Sequence, residues 1–215
     1  GSTLVESILT STKEKISSYG ESHVVNMSIL DQTSPKIFNE RFNEKKFIFE
    51  IDLKKLNENI LNRYLDYNYE FKNNKKFVDK SLENFFNIEL IYKIFPKAKF
   101  LHTFRRPIDS VISIYQSMLP DLSWTHDLED ILKYIDNYFK IINYFKKKYP
   151  KLIMDINLEN FTANNERICK NVIKFCNLTW SDDILKFYQR ENLYSKTLSF
   201  YQIRSQVTKY DKNKY

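Results

Sequence analysis

An α/β fold with a parallel sheet is what the sequence predicts, on three observations. Phe100, Leu101 and Phe104 close a short apolar run between Pro96 and Pro107, after which Ile108, Val111, Ile112 and Tyr115 recur at helical spacing. Residues 97–118 therefore read as strand, turn, helix, with Pro107 suited to the first helical turn. A second strand at Leu152–Ile156 lies behind a long helix and ahead of another. Strands alternating with helices give a parallel sheet covered on both faces.

The elements follow in order. Leu4, Val5, Ile8 and Leu9 form a helical stripe near the start, and Gly20 reads as the turn that ends this first helix, with Glu21 directly after it. Lys46–Ile51 fits strand and helix equally. Phe77-Val78 reads as a strand end that places Asp79-Lys80 where open α/β sheets bind ligands. Thr125 and Asp127 offer an N-cap and a first-turn acid to a helix in which Leu128, Ile131, Leu132, Ile135, Tyr138, Ile142 and Phe145 keep helical spacing as far as Pro150. Asn164 or Asn165 caps a helix carrying Ile168, Val172, Ile173 and Phe175, and Ser181 with Asp182 and Asp183 opens one more.

Composition bounds the function. The 215 residues are 42% hydrophobic and 16% aromatic with a net charge of +7, which excludes an acidic disordered tail and predicts one domain over 1–215. Two Gly exclude collagen and Gly-rich linkers. No apolar run reaches the roughly 18 residues of a membrane span. Cys169 and Cys176, on one helical face, would have Cα atoms about 10 Å apart, beyond the roughly 7 Å reach of a disulfide. They read as buried thiols in a reducing compartment, so the expected location is cytoplasmic, or lumenal if an upstream anchor was removed. A metal is not expected. Charge and abundant Phe and Tyr also suit a nucleic-acid binder, but the aromatics fall at core-periodic positions, so nucleic acid is not the expected partner.

Chemistry-bearing residues gather at a few turns. Gly1-Ser2-Thr3 stand at a helix N-terminus, a natural anion site. Arg105-Arg106-Pro107 occupy the strand-to-helix turn, with Ser113 two helical turns on, an arrangement suited to a phosphate. The Gly-x-x-x-x-Gly-Lys-Ser/Thr signature of P-loop kinases is absent.

Taken in order, these pieces resemble the sulfotransferases that use 3′-phosphoadenosine 5′-phosphosulfate, in particular the branch found behind tetratricopeptide repeats and related to tyrosylprotein sulfotransferases. Gly1 to Leu9 is similar to the end of that family's 5′-phosphosulfate loop and its helix, and Gly20-Glu21 to the Gly-Glu that follows. Asp79-Lys80 with Asn84-Phe85 resembles the Asp-Lys-x-Pro-x-Asn-Phe segment, with Leu82 in place of Pro. Ile94 through Ser113 resembles the 3′-phosphate motif, its Arg and Ser eight residues apart. Phe175 to Trp180, then Thr197, Ser199 and Gln202, continue the likeness, whereas Leu158-Glu159-Asn160-Phe161 replaces a Tyr-Glu-Asp-Leu and Arg106 replaces Asp or Asn.

The resemblance implies a P-loop-type three-layer sandwich around a central parallel sheet. Its first strand and the start of its loop would lie ahead of Gly1, so the chain is expected to be truncated there. It implies that Gly1, Ser2 and Thr3 hold the 5′-phosphosulfate, Arg105 and Ser113 the 3′-phosphate, and that Glu21 is the general base, with Lys80 and Ser199 around the sulfuryl group. The implied activity is sulfuryl transfer from that nucleotide to an unidentified carbohydrate, tyrosine or small alcohol, without a metal. An upstream repeat region would select the acceptor. The alternatives are an inactive nucleotide-binding fragment of the same fold and a basic nucleic-acid-binding protein.

Overall fold

The structure, a computed structural model, describes residues 1–14, 16–39, 51–67, 76–190 and 204–211. Its regular elements are α1 (Ser2–Thr10), β1 (Ile16–Ser18), α2 (Val24–Asn39), α3 (Leu53–Asp66), β2 (Lys76–Val78), α4 (Ile88–Ile94), β3 (Phe100–Phe104), α5 (Pro107–Ser117), α6 (Leu128–Lys148), β4 (Ile153–Asn157), α7 (Leu158–Ala163) and α8 (Asn165–Phe175). Three 3-10 segments, Leu82–Phe86, Ser123–His126 and Asp182–Gln189, connect or close them.

All described strand pairing is parallel. β1 runs beside β2 with Ile16 opposite Lys76 and Ser18 opposite Val78. β3 runs beside β4 from Phe100 opposite Ile153 to Phe104 opposite Asn157. Where a single central sheet is expected, the described strands make two separate two-stranded parallel sheets. They nevertheless share their packing. Adjacent strand residues point to opposite faces, and Val78, Leu101, Met154 and Ile156 join one apolar cluster with Val5, Ile8 and Leu9 of α1 and Cys169, Val172 and Ile173 of α8. Phe77 and Phe100 join another with Leu56, Ile60 and Tyr64 of α3 and Ile91 of α4. A third cluster holds α6 through Ile142 and Phe145 against Ile88, Phe100 and Ile153.

The helix ends follow from local chemistry. Asp127 accepts from the Asp130 N–H, its first turn is acidic and its last carries Lys146, Lys147 and Lys148, matching the dipole of α6 at both ends. Thr125 is no cap: it is buried in the preceding 3-10 segment, where its hydroxyl donates to the Leu122 carbonyl at 2.7 Å. Pro107 opens α5 as expected. α8 stops where Asn177 turns left-handed and the Leu178 N–H reaches back to the Ile173 carbonyl. Gly20 does have a left-handed φ of 57°, but it follows β1 and not the first helix, which ends ten residues earlier. Ile16-Ser17-Ser18 is too short and polar to announce itself as a strand. Most of Lys46–Ile51 lies outside the described residues.

Candidate active site

The first turn of α1 presents Ser2 on the surface and buries Thr3 at 5% exposure. A helix N-terminus has backbone N–H groups without intrahelical partners, which favour an anion. Two cations bear on the same point. The positive charges of Arg105 and Lys80 both act at the backbone nitrogen of Gly1, which the surrounding atoms bury. Residues from three turns thus converge at one end of α1.

The turn from β4 into α7 ties this point to the double arginine. A Cβ placed on Gly1 would lie 2.3 Å from Leu158 Cδ2, so glycine lets Leu158 close over the start of α1. The next residue, Glu159, accepts from the Arg106 N–H at 2.8 Å and from Asn157 Nδ2 at 2.6 Å. Two neighbouring residues therefore touch the beginning of α1 and the beginning of α5. Gly1 and Arg105 belong to one edge of the molecule.

At α5, Arg105 Nε donates to Ser110 Oγ at 3.3 Å. Arg106 is braced by Asp109, which accepts from Nε at 2.9 Å and Nη2 at 2.8 Å. Arg106 and a hydroxyl hydrogen bond from Tyr210 hold the Asp109 carboxyl below the usual carboxylate range. Ser113 is half-buried on α5, its carbonyl accepting from Ser117 Oγ.

Glu21 and Lys80 are brought together. Lys80 Nζ donates to Glu21 Oε1 at 2.7 Å, with the Lys80 side chain 7% exposed and that of Glu21 47%. Lys80 is therefore no solvated surface lysine. Its loop is fixed by Asp79, which accepts from Ser81 N–H and Oγ, Asn84 Nδ2 and Tyr64 OH at 2.7 to 3.0 Å, and from Ser22 Oγ. Burial, then the Asp79 charge, pushes the Tyr64 hydroxyl pKa far up, so it stays a donor. Asn84 thus has a structural task, and Leu82, in the place of a proline, is exposed on the 3-10 segment. Ser199, with Thr197 and Gln202, lies outside the described residues.

Sequence reasoning overlooked Glu6. This residue of α1 is 8% exposed and accepts from Ser18 Oγ at 2.5 Å. Burial raises its carboxyl pKa, opposed by Ser18, the Lys80 charge and the Gly20 N–H. The signal was a charge inside the apolar stripe Leu4 to Leu9. Among the described residues, no three His, Cys, Asp or Glu are grouped to hold a metal ion, and no helix is long and apolar enough to cross a membrane.

A family model described as "Sulfotransferase family" matches residues 1–182, from the start of α1 into the final 3-10 segment. The chain belongs to the sulfotransferase family. That stretch of the sulfotransferase contains every candidate site residue except Ser199. It is also similar, at 28% identity over 136 residues, to a curated Aquifex aeolicus (strain VF5) protein described as an uncharacterized protein; the match takes in 61% of the sulfotransferase chain and 18% of that relative.

Proposed function

We propose that this sulfotransferase moves a sulfuryl group from 3′-phosphoadenosine 5′-phosphosulfate to a hydroxyl or amine of its acceptor. The observation that carries the reading is the pair Leu158-Glu159, which joins the start of α1 to the start of α5 and so sets two anion-favouring turns side by side. The N-terminus of α1 with Ser2, Thr3 and Lys80 suits the phosphosulfate, and Arg105 with Ser113 suits the 3′-phosphate. Sulfuryl transfer, like phosphoryl transfer, spreads charge over peripheral oxygens, so positioned donors and a cation supply most of the stabilisation. Glu21, more exposed than Lys80, takes the acceptor proton. Because the two sheets feed the same apolar clusters, the proposal includes a strand ahead of Gly1 that bridges β2 and β3 into one central sheet of a three-layer fold. An upstream repeat region selecting the acceptor remains part of it.

Calorimetry with 3′-phosphoadenosine 5′-phosphate tests the nucleotide site. The unaltered chain should bind, and Arg105→Ala should bind at least about 10-fold more weakly, the loss expected for a charge-assisted hydrogen bond. Equal affinity in the variant would remove Arg105 from the site. The closure of Glu21 on Lys80 favours a second reading, binding without turnover. Transfer of labelled sulfate separates the two, since only the enzyme passes the label on, and Glu21→Gln should then keep binding and lose turnover.

A further inference from the structure

His23 sits beside the proposed site in a backbone conformation that few side chains adopt. Its φ is 56°, in the left-handed region that is strained for a non-glycine residue and found preferentially at functional positions. The surroundings enforce it. The His23 N–H donates to Ser81 Oγ at 2.8 Å, Ser81 Oγ donates to Asp79 Oδ1, and Ser22 Oγ donates to Asp79 Oδ2. The His23 carbonyl then accepts from Met27 N–H as α2 begins. The segment 21–23 is thus bolted along Asp79-Lys80-Ser81, with Glu21 held by Lys80, Ser22 by Asp79 and His23 by Ser81.

The imidazole is oriented as tightly as the backbone. Nδ1 lies 2.9 and 3.1 Å from the two carboxylate oxygens of Glu83. An ionised carboxylate only accepts, so Nδ1 carries the hydrogen, and the neutral ring keeps its lone pair on Nε2. Among the described residues Nε2 makes no hydrogen bond, and the side chain is 46% exposed. A ring fixed through Nδ1 by a carboxylate, with Nε2 open, is the arrangement that makes histidine a proton acceptor. Glu21 in contrast has one oxygen occupied by Lys80.

We infer that His23 is a second proton-accepting residue of the site, oriented by Glu83. Resting on the sulfuryl-transfer reading, the step balances as follows. The acceptor oxygen bonds to sulfur, its proton passes to Glu21 and on to His23 Nε2, and the bond from sulfur to the 5′-phosphate oxygen breaks, its electron pair leaving on the bisphosphate. The charged partner of the ring is Glu83 on the Leu82–Phe86 segment; Asp79, Lys80 and Glu21 lie on the loops tied to the His23 backbone, and beyond Glu83 is the Tyr134 hydroxyl of α6. Burial and then the Glu83 charge raise that hydroxyl to about 12, so it stays neutral at neutral pH.

The test uses the labelled nucleotide with water as acceptor, following sulfate release against pH, alongside binding of 3′-phosphoadenosine 5′-phosphate. His23→Asn is the variant of choice because asparagine tolerates the left-handed conformation. The expected profile loses rate toward acid, because only the neutral ring can take the proton. His23→Asn should abolish that limb and lower the plateau by about 100-fold while binding the nucleotide normally. Glu83→Gln should weaken the limb and lower the plateau while binding the nucleotide normally, because the ring loses the carboxylate that orients it; this holds as a separate check if His23→Asn does not fold. A flat profile, or one that neither variant alters, in a chain that binds nucleotide and releases sulfate would overturn this assignment alone. A chain that neither binds nor releases would overturn the sulfuryl-transfer reading, and this inference with it.

Discussion

Glu6 shows how one residue can trade stability for placement. A carboxyl 8% exposed in α1 is an expensive group, and burial raises its pKa above the ordinary 4.5. The folded chain then holds a proton that the unfolded chain has released, so this group's contribution is full below about 4.5 and is lost as pH rises through the folded value. Glu6→Gln keeps an oxygen for Ser18 and removes the charge. Urea denaturation should find the variant more stable than the unaltered chain at pH 8 and no more stable at pH 4; an equal difference at both would mean that Glu6 is not the group responsible. What the charge supplies is local: it meets Ser18 of β1, the Gly20 N–H and the Lys80 charge, and so steadies the turn that presents Glu21. The spacing of apolar residues foretold the helix but not this, because periodicity says which face is buried and nothing about a polar atom satisfied across a turn.

At the level of elements, what could be read in advance was what local chemistry decides. Asp127 caps α6 and Pro107 opens α5 because caps and fixed φ angles act on their own turn. β1 and the placement of Gly20 escaped because a three-residue strand is defined by its partner β2, far away in sequence. The same non-local pairing builds a polar cluster between β3, β4 and α6. His102 stands opposite Asp155, with Nδ1 2.7 Å from its Oδ1, while Nε2 meets the Tyr138 hydroxyl and Lys146 pairs with Asp155 at 2.7 Å. Burial lowers the His102 pKa below 6.5, Asp155 opposing and Lys146 assisting. Here the unfolded chain takes up the proton first, so the stabilisation is complete above the ordinary imidazole value and is lost as pH falls through it toward the folded value. His102→Gln should therefore flatten the dependence of unfolding free energy on pH between about 7 and 5, measured by urea melts at successive pH values. An unchanged slope would place the acid sensitivity elsewhere.

Across the whole molecule, the described stretch 204–211 returns to the beginning of α5. Gln206 Nε2 donates to Tyr188 OH at 2.8 Å, Val207 packs on the cluster of α1 and α8, the Tyr210 N–H donates to Thr162 Oγ1 at 3.0 Å, and its hydroxyl donates to Asp109 at 2.5 Å. Burial, then the Asp109 contact, pushes the Tyr210 hydroxyl up to about 12, so it remains a donor at neutral pH. One side chain near the end of the sequence thus completes the shell of Asp109, which in turn braces Arg106 beside the proposed nucleotide clamp. No motif marked this contact, since nothing local distinguishes Tyr210 from the fourteen other tyrosines; only the closing of the chain brings it to α5. Tyr210→Phe keeps the ring and removes the donor, so the 1% exposed Asp109 loses one hydrogen bond and keeps those from Arg106. The variant should unfold at lower urea with an unchanged slope, because it loses a contact without changing the surface exposed on unfolding, and should bind 3′-phosphoadenosine 5′-phosphate more weakly. A normal midpoint with normal affinity would show that 204–211 lies against α5 without holding it.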